Sequence, residues 1–545
     1  MTEFKDNQWL DHLPKEVMRG TPSSRLDSYM IALEAWRRGL SIEWFAYPTP
    51  QFSNLKPRKG RNYIGRLIAI TSDKRAHYFF LSRGDKNTYK AFRDTQDKIK
   101  AKELLLIAGI PVAPSKEFSA EANDDKIIEY FNSLEYPVVL KPSNKGMGKG
   151  VFTDIKDKHT FIKALLHVRH ELDCKSVLVE KYVPGKDYRV YVIEDRIVGA
   201  THRVAANVIG DGIHTIKELI NIKNKMKLQN PYSKPIKVDP ELLNFIKHAG
   251  YGLYSKPPKN QRVYLRGKCN ASAGGDTVDA TDNLSPAIKR AAVKALQATG
   301  LRHGGVDFIV NNNCEDKFVV LELGSAAETG LHVFPDKGIA RDVPAALVDY
   351  YFPESKGGRR AENVYFDLGA VLNPLRSRTA SVVKINPAPN GNLYAKRFLI
   401  KGKVQRVGYR NWIRREAWRQ ELHGHAINED DGAVEVVVAG EKREKVDSFK
   451  NVCKEGPPKA IIKDVTVHEY NKPVMVGFFV KGSSVKQRLK LKKRELRRTK
   501  RKLLIIQQRY REIKQKYEGI KQSRTWRYTY PLRKFARYLS KLGVK

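Results

Sequence analysis

The spacing of apolar and polar residues changes several times along the chain. Between residues 136 and 350, short β-branched runs such as Pro137-Val-Val-Leu and Val306-Asp-Phe-Ile-Val alternate with helical stretches such as Pro286 to Thr299. This mixture predicts an α+β region. Residues 1 to about 90 combine short strand-like pieces with one amphipathic helix around Leu26 to Arg38, which predicts a small α/β lead-in.

Helix and turn signals divide the rest of the chain. A helical pattern from Asp94 to Ala108 stops at Gly109-Ile-Pro, and Pro and Gly near Phe352 end the α+β region. A compact βαββαβ pattern over 395 to 480 predicts a small ferredoxin-like domain. The predicted division is a lead-in at 1–93, an α+β domain at 94–355, a linker at 356–394, a ferredoxin-like domain at 395–472 and a tail at 484–545.

The tail has a heptad pattern on a strongly basic background. Apolar residues recur at Leu489, Leu496, Leu503, Tyr510 and Tyr517, and lysines and arginines crowd the first half. The spacing predicts a basic helix with coiled-coil character, through which the chain could self-associate. Aromatics alternate with arginines further on, at Ser523-Arg-Thr-Trp-Arg-Tyr-Thr-Tyr-Pro-Leu-Arg, a segment that resembles tails of bacterial cell-surface glycosyltransferases.

Charge is the most extreme feature of the composition. The formal net charge is +42, and it is not confined to the tail. Such a field attracts polyanions, namely nucleic acid, an anionic membrane surface or an acidic polymer, and charge alone does not rank them. The aromatic residues of the tail suit a membrane interface, and its resemblance makes nucleic acid the weaker alternative.

The cysteines and the N-terminus indicate a compartment. The four cysteines lie far apart and include no CxxC pair, which favours a reducing environment without structural zinc. The first residues contain no apolar signal region, and no run approaches the roughly 20 apolar residues that span a bilayer. We expect a cytoplasmic protein, with the basic tail placing it at the inner membrane face.

A lysine at the end of a strand precedes a glycine-rich loop in Tyr136-Pro-Val-Val-Leu-Lys-Pro-Ser-Asn-Lys-Gly-Met-Gly-Lys-Gly-Val. Backbone N–H groups of such a loop can face phosphate oxygens while Lys141 neutralises their charge. The spacing does not fit a Walker A loop. A mobile basic turn is the alternative interpretation of this segment taken alone.

Several ordered motifs make residues 94 to 350 resemble the ATP-grasp superfamily, in particular its cyanophycin synthetase and glutathione synthetase branches. They include Asp97-Lys98, Val177-Leu-Val-Glu-Lys-Tyr-Val-Pro-Gly-Lys-Asp-Tyr-Arg-Val, Arg203-Val-Ala-Ala-Asn-Val, Leu265-Arg-Gly-Lys-Cys-Asn-Ala-Ser-Ala-Gly-Gly and Gly305-Val-Asp-Phe-Ile. The resemblance implies an ATP-grasp fold with ATP and Mg²⁺ as cofactors. Residues 225 to 262 match none of its motifs firmly and are interpreted as a substrate lid.

The resemblance also implies roles for individual residues. Lys98 and Lys141 would hold the ATP phosphates, and Asp187 would meet the ribose. Arg266 would act on the transferred phosphoryl group. The remaining cofactor-binding residues implied are Glu180, Lys181 and Val183 around the adenine, Arg203, and Asn270, Ser272, Gly274 and Gly275 in a phosphate-binding turn. Catalysis would rest on positioning and charge neutralisation.

Asp307 and Glu322, on two successive apolar strands, are the predicted magnesium ligands. Magnesium is usually held by one or two carboxylates together with substrate phosphates. The family's asparagine two residues after the glutamate is Gly324 in this chain. Either Glu328 or water would then fill that position, or catalysis would be impaired.

Residues 395 to 470 resemble acylphosphatase. Lys401-Gly-Lys-Val-Gln-Arg-Val-Gly-Tyr-Arg and Leu422-His-Gly-His-Ala-Ile-Asn carry the resemblance. It implies a main-chain cradle with Arg410 for the phosphoryl group and Asn428 for the attacking water. Arg406 replaces the first glycine of the family's loop, so binding would survive while turnover falls if the backbone there needs positive φ. The alternative is a ferredoxin-like domain kept for packing or protein contact.

Three functions follow from these patterns. The first is an ATP-dependent carboxylate-amine ligase that joins small-molecule substrates through an acyl phosphate, in peptide or cell-surface polymer biosynthesis. The second is an acylphosphatase in which the ATP-grasp part only binds nucleotide. The third is a protein that binds a polyanion or a membrane surface through its basic tail.

Overall fold

The computed structural model describes residues 7–57, 62–143, 150–314 and 316–480, together with isolated positions between 503 and 529. Contacts divide the chain into a first unit of Met1–Tyr394 with Asn471–Val476, and a second that begins at Ala395–Tyr470 and continues from Gly477. The glycine-rich segment 144–149 lies outside the described residues, as does the predicted coiled-coil tail apart from those isolated positions.

The strands are β1 (Asn7–Gln8), β2 (Ser41–Phe45), β3 (Leu67–Thr71), β4 (Ala76–Phe80), β5 (Arg83–Gly84), β6 (Ser115–Phe118), β7 (Val138–Pro142), β8 (Phe152–Ile155), β9 (Val177–Lys181), β10 (Lys186–Ile193), β11 (Arg196–Val204), β12 (Asn207–Ile209), β13 (Arg262–Tyr264), β14 (Asp276–Asp279), β15 (His303–Val310), β16 (Phe318–Gly324), β17 (Gly338–Ile339), β18 (Val364–Tyr365), β19 (Val382–Lys384), β20 (Tyr394–Lys403), β21 (His423–Asn428), β22 (Val434–Gly440), β23 (Ile461–Glu469), β24 (Val474–Met475) and β25 (Phe478–Val480).

The helices are α1 (Lys15–Met18), α2 (Leu26–Arg37), α3 (Tyr89–Gln96), α4 (Lys98–Ile107), α5 (Asp124–Asn132), α6 (Lys158–Leu166), α7 (Ile216–Lys227), α8 (Pro240–His248), α9 (Pro286–Thr299), α10 (Gly330–Val333), α11 (Val343–Tyr351), α12 (Leu368–Arg376), α13 (Tyr409–Arg419) and α14 (Arg443–Glu455). None of the helices in this described part of the chain combines the length and apolar character needed to cross a bilayer.

A five-stranded antiparallel sheet in the order β14-β11-β10-β15-β16 forms the centre of the first unit. One face is apolar: Val190, Val306 and Phe308 pack with the buried side of α9. Ser285 caps that helix by accepting a hydrogen bond from the Ile288 N–H, Pro286 occupies its first turn, and Gly300 ends it in the left-handed conformation. The opposite face of the sheet carries alternate polar residues, because successive strand side chains point to opposite sides.

A second antiparallel sheet, β6-β9-β7-β8, packs against α5 and α6 through its own apolar core. The β12-β13 pair and helices α7 and α8 form a further small core that includes Ile220, Ile246 and Val263. The segment 225–262, interpreted from the sequence as a lid, therefore contains α8 and contributes to a packed layer with α7 and the β12-β13 pair.

Two predictions about the N-terminal region need correction. The helix expected from Asp94 to Ala108 is two helices, because Asp97 has an extended backbone and caps α4 through the Ile99 and Lys100 N–H groups. The helix expected at Leu26 to Arg38 is present as α2, but every one of its residues is buried. It is thus a core helix of the first unit.

The predicted linker at 356–394 is wrong. This segment contains β18, α12 and β19, and β19 extends the antiparallel sheet β19-β2-β3-β4-β5 at its edge. Phe366 packs edge-on against Tyr29 and Trp36 of α2. Pro and Gly near Phe352 suggested that a domain ends there, whereas apolar contacts and strand pairing fix the segment to the N-terminal sheet.

The second unit has the sheet order β23-β20-β22-β21-β25, with α13 and α14 connecting its strands. The predicted βαββαβ pattern is present, and the order of its first four strands is that of a ferredoxin-like fold. The predicted end at residue 472 is too early, since β25 pairs in parallel with β21.

Candidate active site

Charged side chains follow one another across the polar face of the central sheet. Arg189 and Asp307 are directly opposed on β10 and β15, and Asp307 is in turn opposed to Glu322 on β16. Asp187 and Arg203 are likewise opposed on β10 and β11. Directly opposed residues share a face of the sheet, so the register alone brings these five residues together.

Asp307 is buried between two arginines. The Arg189 Nε and Nη2 atoms donate to its two carboxylate oxygens at 2.7 and 2.8 Å, and Arg203 Nη2 donates at 3.0 Å. Arg203 Nε also donates to Asp187 at 2.7 Å. Burial alone would raise the pKa of Asp307, but the two guanidiniums outweigh it, so this pKa lies below its usual value. Asp307 is therefore a carboxylate at neutral pH.

A lysine cluster lies next to this face. Lys141 at the end of β7 forms an ion pair with Glu180 at 3.0 Å, and Lys102 binds the same oxygen at 2.6 Å. Lys98, the first residue of α4, donates to the Pro142 carbonyl at 3.1 Å. Burial, followed by the charge of Lys141, lowers the pKa of Lys98, while Glu322 opposes that shift. Lys98, Lys141, Asp307 and Glu322 thus belong to one continuous electrostatic site.

The residues predicted around the adenine follow β9. The backbone N–H of Lys181 donates to the Pro114 carbonyl at 2.9 Å, which fixes the start of this connection. The Lys181 side chain is exposed and pairs with Glu135, and Val183 is half-buried. Only the side chain of Glu180 points into the lysine cluster.

The predicted phosphate-binding turn lies at the edge of the central sheet. A short 3₁₀ turn follows Asn270 and includes the exposed Ser272, and Gly274 ends it with a φ of 90°. A Cβ atom at Gly274 would lie 2.8 Å from Ile236, and one at Gly275 would lie 2.8 Å from the Val204 carbonyl oxygen. The two glycines are therefore required for the close approach of these backbones.

Arg266 is occupied elsewhere. Its guanidinium donates to Asp239 at 2.6 Å and to Glu241 at 2.7 Å, next to the start of α8. It also donates to the Lys237 carbonyl at 3.0 Å. Among the described residues, none of its hydrogen bonds or ion pairs reaches the lysine cluster or Asp307. The structure thus holds Arg266 at α8. The other predicted phosphate and magnesium residues, namely Lys98, Lys141, Asp307 and Glu322, lie together.

The second unit has a separate site at the loop between β20 and α13. Arg406 has a φ of 63° and Gly408 a φ of 80°, so this loop contains two left-handed positions before the helix starts. Gln405 Nε2 donates to the carbonyls of Glu429 and Ala433, both at 2.8 Å, which ties the loop to the end of β21.

Arg410 follows this loop directly in the chain. Asn428 precedes Glu429, whose carbonyl accepts a hydrogen bond from Gln405 of the loop. Arg410 lies in the first turn of α13, where burial lowers its pKa. Asn428 is the last residue of β21 and is 9% exposed. Its Oδ1 atom accepts no hydrogen bond from the described residues. A buried polar atom without a partner commonly marks a functional site, because such an atom is costly to leave unsatisfied.

Comparison with protein families decides the domain assignment. Residues 95–212 match the RimK-like ATP-grasp domain, and residues 396–480 match the acylphosphatase family. The chain contains an ATP-grasp domain followed by an acylphosphatase domain. Both resemblances predicted from the sequence are confirmed, as is the predicted combination of an ATP-grasp fold and a ferredoxin-like fold.

Individual relatives match about half to two thirds of the chain. A cyanophycin synthetase of Trichormus variabilis is 33% identical over 271 residues, which is 48% of this chain and 30% of that relative. A glutathione biosynthesis bifunctional protein of Desulfotalea psychrophila is 31% identical over 365 residues, 64% of this chain and 44% of the relative. The chain thus spans less than half the length of either protein. A solved bifunctional glutathione synthetase from Pasteurella multocida is 26% identical with a TM-score of 0.41, over 55% of this chain and 41% of that one.

ATP and Mg²⁺ are the cofactors of ATP-grasp ligases, and the donor atoms present here fit the metal. No group of three or more His, Cys, Asp and Glu residues in the described part of the chain could hold a metal ion. Asp307 and Glu322 nevertheless supply two carboxylates on one face of the sheet, and Glu322 is exposed. Mg²⁺ needs no more protein ligands than this when phosphates and water complete its shell.

The missing asparagine leaves open space at Gly324. A Cβ atom there would make only ordinary contacts with Ala327, at 3.8 Å or more. The other candidate for that ligand position, Glu328, accepts a hydrogen bond from the Tyr232 hydroxyl at 2.5 Å. The ATP-grasp domain could thus accept a longer side chain at Gly324 without rearrangement.

Sequence reasoning missed Arg189. The residue stands in the motif that follows the predicted adenine hinge, two positions after Asp187. Residues two apart on a strand share a face, so this spacing could have placed Arg189 beside the predicted ribose ligand Asp187. Its partner Asp307 is 118 positions away in the chain, and only the sheet register reveals that pairing.

Proposed function

We propose that this protein is an ATP-dependent carboxylate-amine ligase that forms an amide bond through an acyl phosphate. The observation that carries the proposal is the charged face of the central sheet, with Arg189, Asp307 and Glu322, together with the adjacent cluster of Lys98 and Lys141. It combines cations for phosphate with two carboxylates for a metal. The ATP-grasp domain match supports the same class of reaction.

The reaction has two steps. A carboxylate oxygen of the first substrate attacks the γ-phosphorus of ATP, the bond to the bridging oxygen breaks, and ADP leaves with that electron pair. The amine nitrogen of the second substrate then attacks the acyl carbon, the C–O bond to phosphate breaks, and the nitrogen loses a proton. Inorganic phosphate and an amide are the products.

The chain's own residues position and neutralise the reacting groups. Lys98 and Lys141 would face the phosphates, where two ammonium groups offset charge that builds up in phosphoryl transfer. Asp307 and Glu322 would hold Mg²⁺, which neutralises further phosphate charge when bound. We assign Arg189 and Arg203 to the transferred phosphoryl group, because their guanidiniums lie on the same face and Arg266 is held by Asp239 and Glu241.

Lys102 makes Lys141 a suitable residue to test. Because Lys102 also binds Glu180, removal of the Lys141 ammonium leaves that buried carboxylate paired. We expect Lys141→Ala to retain the fold and to lose ADP release with magnesium-ATP, a pool of carboxylates and a pool of amines. Lys163→Ala is the control, because Lys163 is an exposed lysine on α6, which packs against the sheet that contains Lys141. ADP release that persists unchanged in Lys141→Ala would refute the proposed site.

A second activity is proposed for the acylphosphatase domain, because the buried Asn428 Oδ1 lacks a partner beside the Gln405-anchored loop. In this proposal a water molecule held by Asn428 attacks the phosphorus, and the carboxylate leaves. Hydrolysis of benzoyl phosphate should be lost in Arg410→Ala and Asn428→Ala while substrate-dependent ADP release is retained. If Lys141→Ala also abolished this hydrolysis, the two activities would not be separate.

A further inference from the structure

An open surface depression of about 830 Å³, called the cavity below, lies away from the nucleotide site, where the turn from β10 to β11 meets the outward side of α9. Its lining includes Arg196 from the turn and Lys289, Arg290 and Lys294 from the helix. Ile193, at the end of β10, lies six residue steps after Asp187, so the two residues are about 20 Å apart along the strand. The helix packs on the apolar face of the sheet, opposite to the charged face.

The four cationic side chains make no direct polar contact with the described residues, and Lys289 interacts with Asp282 only at longer range. None of them forms an ion pair within 4.0 Å or a side-chain hydrogen bond there, although most other charged groups of the central sheet are paired. Like charges that surround one concavity repel one another, and an anionic ligand would relieve that repulsion.

The acidic residues in the lining do not cancel this charge. Asp282 is already bound by Arg341 at 2.7 Å, and Arg341 also binds Asp279 at 2.7 Å. Of the two acidic residues among the described lining, only Asp195 has no ion pair. The cavity therefore keeps a net positive charge of its own, separate from that of the tail.

The spacing of the cations selects the kind of anion. Arg290 and Lys294 are four residues apart on α9, so they lie on one side of the helix about 6 Å apart along its axis. Alternate side chains of an extended peptide are separated by about 6.6 Å on one side. Acidic side chains at alternate positions of such a peptide would match this pair, with Arg196 facing them from the turn.

The floor of the cavity also suits a peptide better than a nucleic acid. Ile197 and Val293 are half-buried there and supply an apolar surface, while Gln297 offers an amide at the rim. Among the described residues that line the cavity none is aromatic, whereas proteins that bind single-stranded nucleic acid usually stack bases on aromatic rings.

We propose that this cavity is a second binding site, for an extended acidic peptide. The inference does not depend on the ligase activity. If the ligase acts on an acidic peptide, the site would hold that chain at a distance from the reacting carboxylate. Such a second contact raises the effective concentration of a polymer at the active site.

The test uses the full chain and a fluorescein-labelled glutamate decapeptide. Lys289→Glu with Lys294→Glu removes and reverses two cavity charges. The matched control is Lys158→Glu with Lys163→Glu, two exposed lysines with the same spacing on α6. Fluorescence anisotropy should show binding about tenfold weaker in the cavity variant and nearly unchanged in the control, because the cavity variant replaces two attractive contacts with two repulsive ones.

Any binding of the decapeptide by the basic tail is common to all of these proteins, so the difference between the two variants isolates the cavity. A photo-crosslinking decapeptide should label α9 or the β10–β11 turn, as mapped by mass spectrometry. Equal weakening in both variants would overturn the proposal, since it would indicate a general charge effect. A decathymidylate that displaces the peptide crosslink from α9 at lower concentration than unlabelled decapeptide would also overturn it, in favour of nucleic acid.

Discussion

Asp307 and Arg189 face each other across neighbouring strands, and two guanidinium nitrogens of Arg189 bind the two carboxylate oxygens of Asp307. The same carboxylate is a proposed magnesium ligand. It therefore has two roles, as the counter-charge of two buried arginines and as a donor to the metal. Glu322, its other neighbour, has no ion pair within the described structure and is free to serve the metal alone.

Removal of the Asp307 charge should destabilise the first unit. In Asp307→Asn, Arg189 and Arg203 would remain buried with less negative charge to balance them. Loss of one partner from a buried ion pair costs about 3 kcal/mol or more. We expect a lower midpoint in urea denaturation followed by tryptophan fluorescence. Glu322→Gln is the control and should unfold like the parent protein. Equal midpoints for all three proteins would contradict the structural role of Asp307.

Glu322→Gln should instead raise the magnesium requirement. Loss of one of two carboxylate ligands is expected to weaken metal binding by about 100-fold or more, since even outer-shell changes cost 10- to 100-fold. The measurement is ADP release as a function of Mg²⁺ concentration. Glu328→Gln should leave this curve unchanged, because its carboxylate is bound by Tyr232. If Glu328→Gln shifted the curve as much as Glu322→Gln, Glu328 would be a metal ligand.

Gly324→Asn should lower the magnesium requirement. The position has ordinary van der Waals space for a side chain, and the amide oxygen would add a ligand two residues after Glu322. We expect half-maximal ADP release at a Mg²⁺ concentration several-fold lower than in the parent. Gly324→Ala adds the Cβ atom without the oxygen and should show no such shift. The same shift in both variants would point to backbone stiffening instead.

Much of the site could be predicted because its residues stand in short, ordered motifs. Lys141 could be found from a local pattern at the end of a strand, and Asp307 and Glu322 from two successive strands, whereas the role of Lys98 followed only from the resemblance to the ATP-grasp superfamily. The pairing of Arg189 with Asp307, and the engagement of Arg266 by Asp239, depend on contacts between segments far apart in the chain. Local patterns carry no information about such contacts.

In the fold, too, local patterns predicted some features, whereas contacts between distant segments could not be predicted. Strands and helices with strong periodicity, such as β15 and α9, lie where the sequence predicts them. The interval 356–394 was misjudged because the Pro and Gly residues near Phe352 suggested that a domain ends there. Phe366 and the edge strand β19 attach it to the N-terminal sheet through partners some 340 positions away, which composition cannot reveal.

Arg406→Gly should improve the acylphosphatase domain in two ways. A non-glycine residue with a φ of 63° is strained by about 1 kcal/mol. Glycine removes this strain, but its greater flexibility in the unfolded chain offsets part of the gain in stability. We expect a small rise in the unfolding midpoint and faster hydrolysis of benzoyl phosphate, since the family's cradle has glycine there. Arg406→Ala removes the charge but keeps the strain, so it should reproduce neither gain. Similar rates in both variants would show that charge, not backbone conformation, limits the site.

Asp27 should make the first unit less stable as the pH rises from about 4 to 6. Burial, opposed by hydrogen bonds from Thr329 and reinforced by Glu328, raises the pKa of Asp27 to about 6 in the folded protein. The folded state therefore prefers the protonated form. This contribution to stability is fully present below the unfolded pKa, near 4, and is lost as the pH rises through 6.

The variant Asp27→Asn removes this dependence while it keeps the acceptor, because both Thr329 hydrogen bonds end on Oδ1. At pH 8 it should be more stable than the parent by about 3 kcal/mol, because the pKa of Asp27 rises from near 4 to about 6 on folding, and at pH 4 most of this difference should disappear. Asp27→Ala loses the acceptor and should be less stable than Asp27→Asn at both pH values. Thermal midpoints measured between pH 4 and 8 give the comparison. Parallel curves for the parent and Asp27→Asn would mean that Asp27 titrates near its ordinary pKa, and that the surrounding buried polar groups already compensate for its charge.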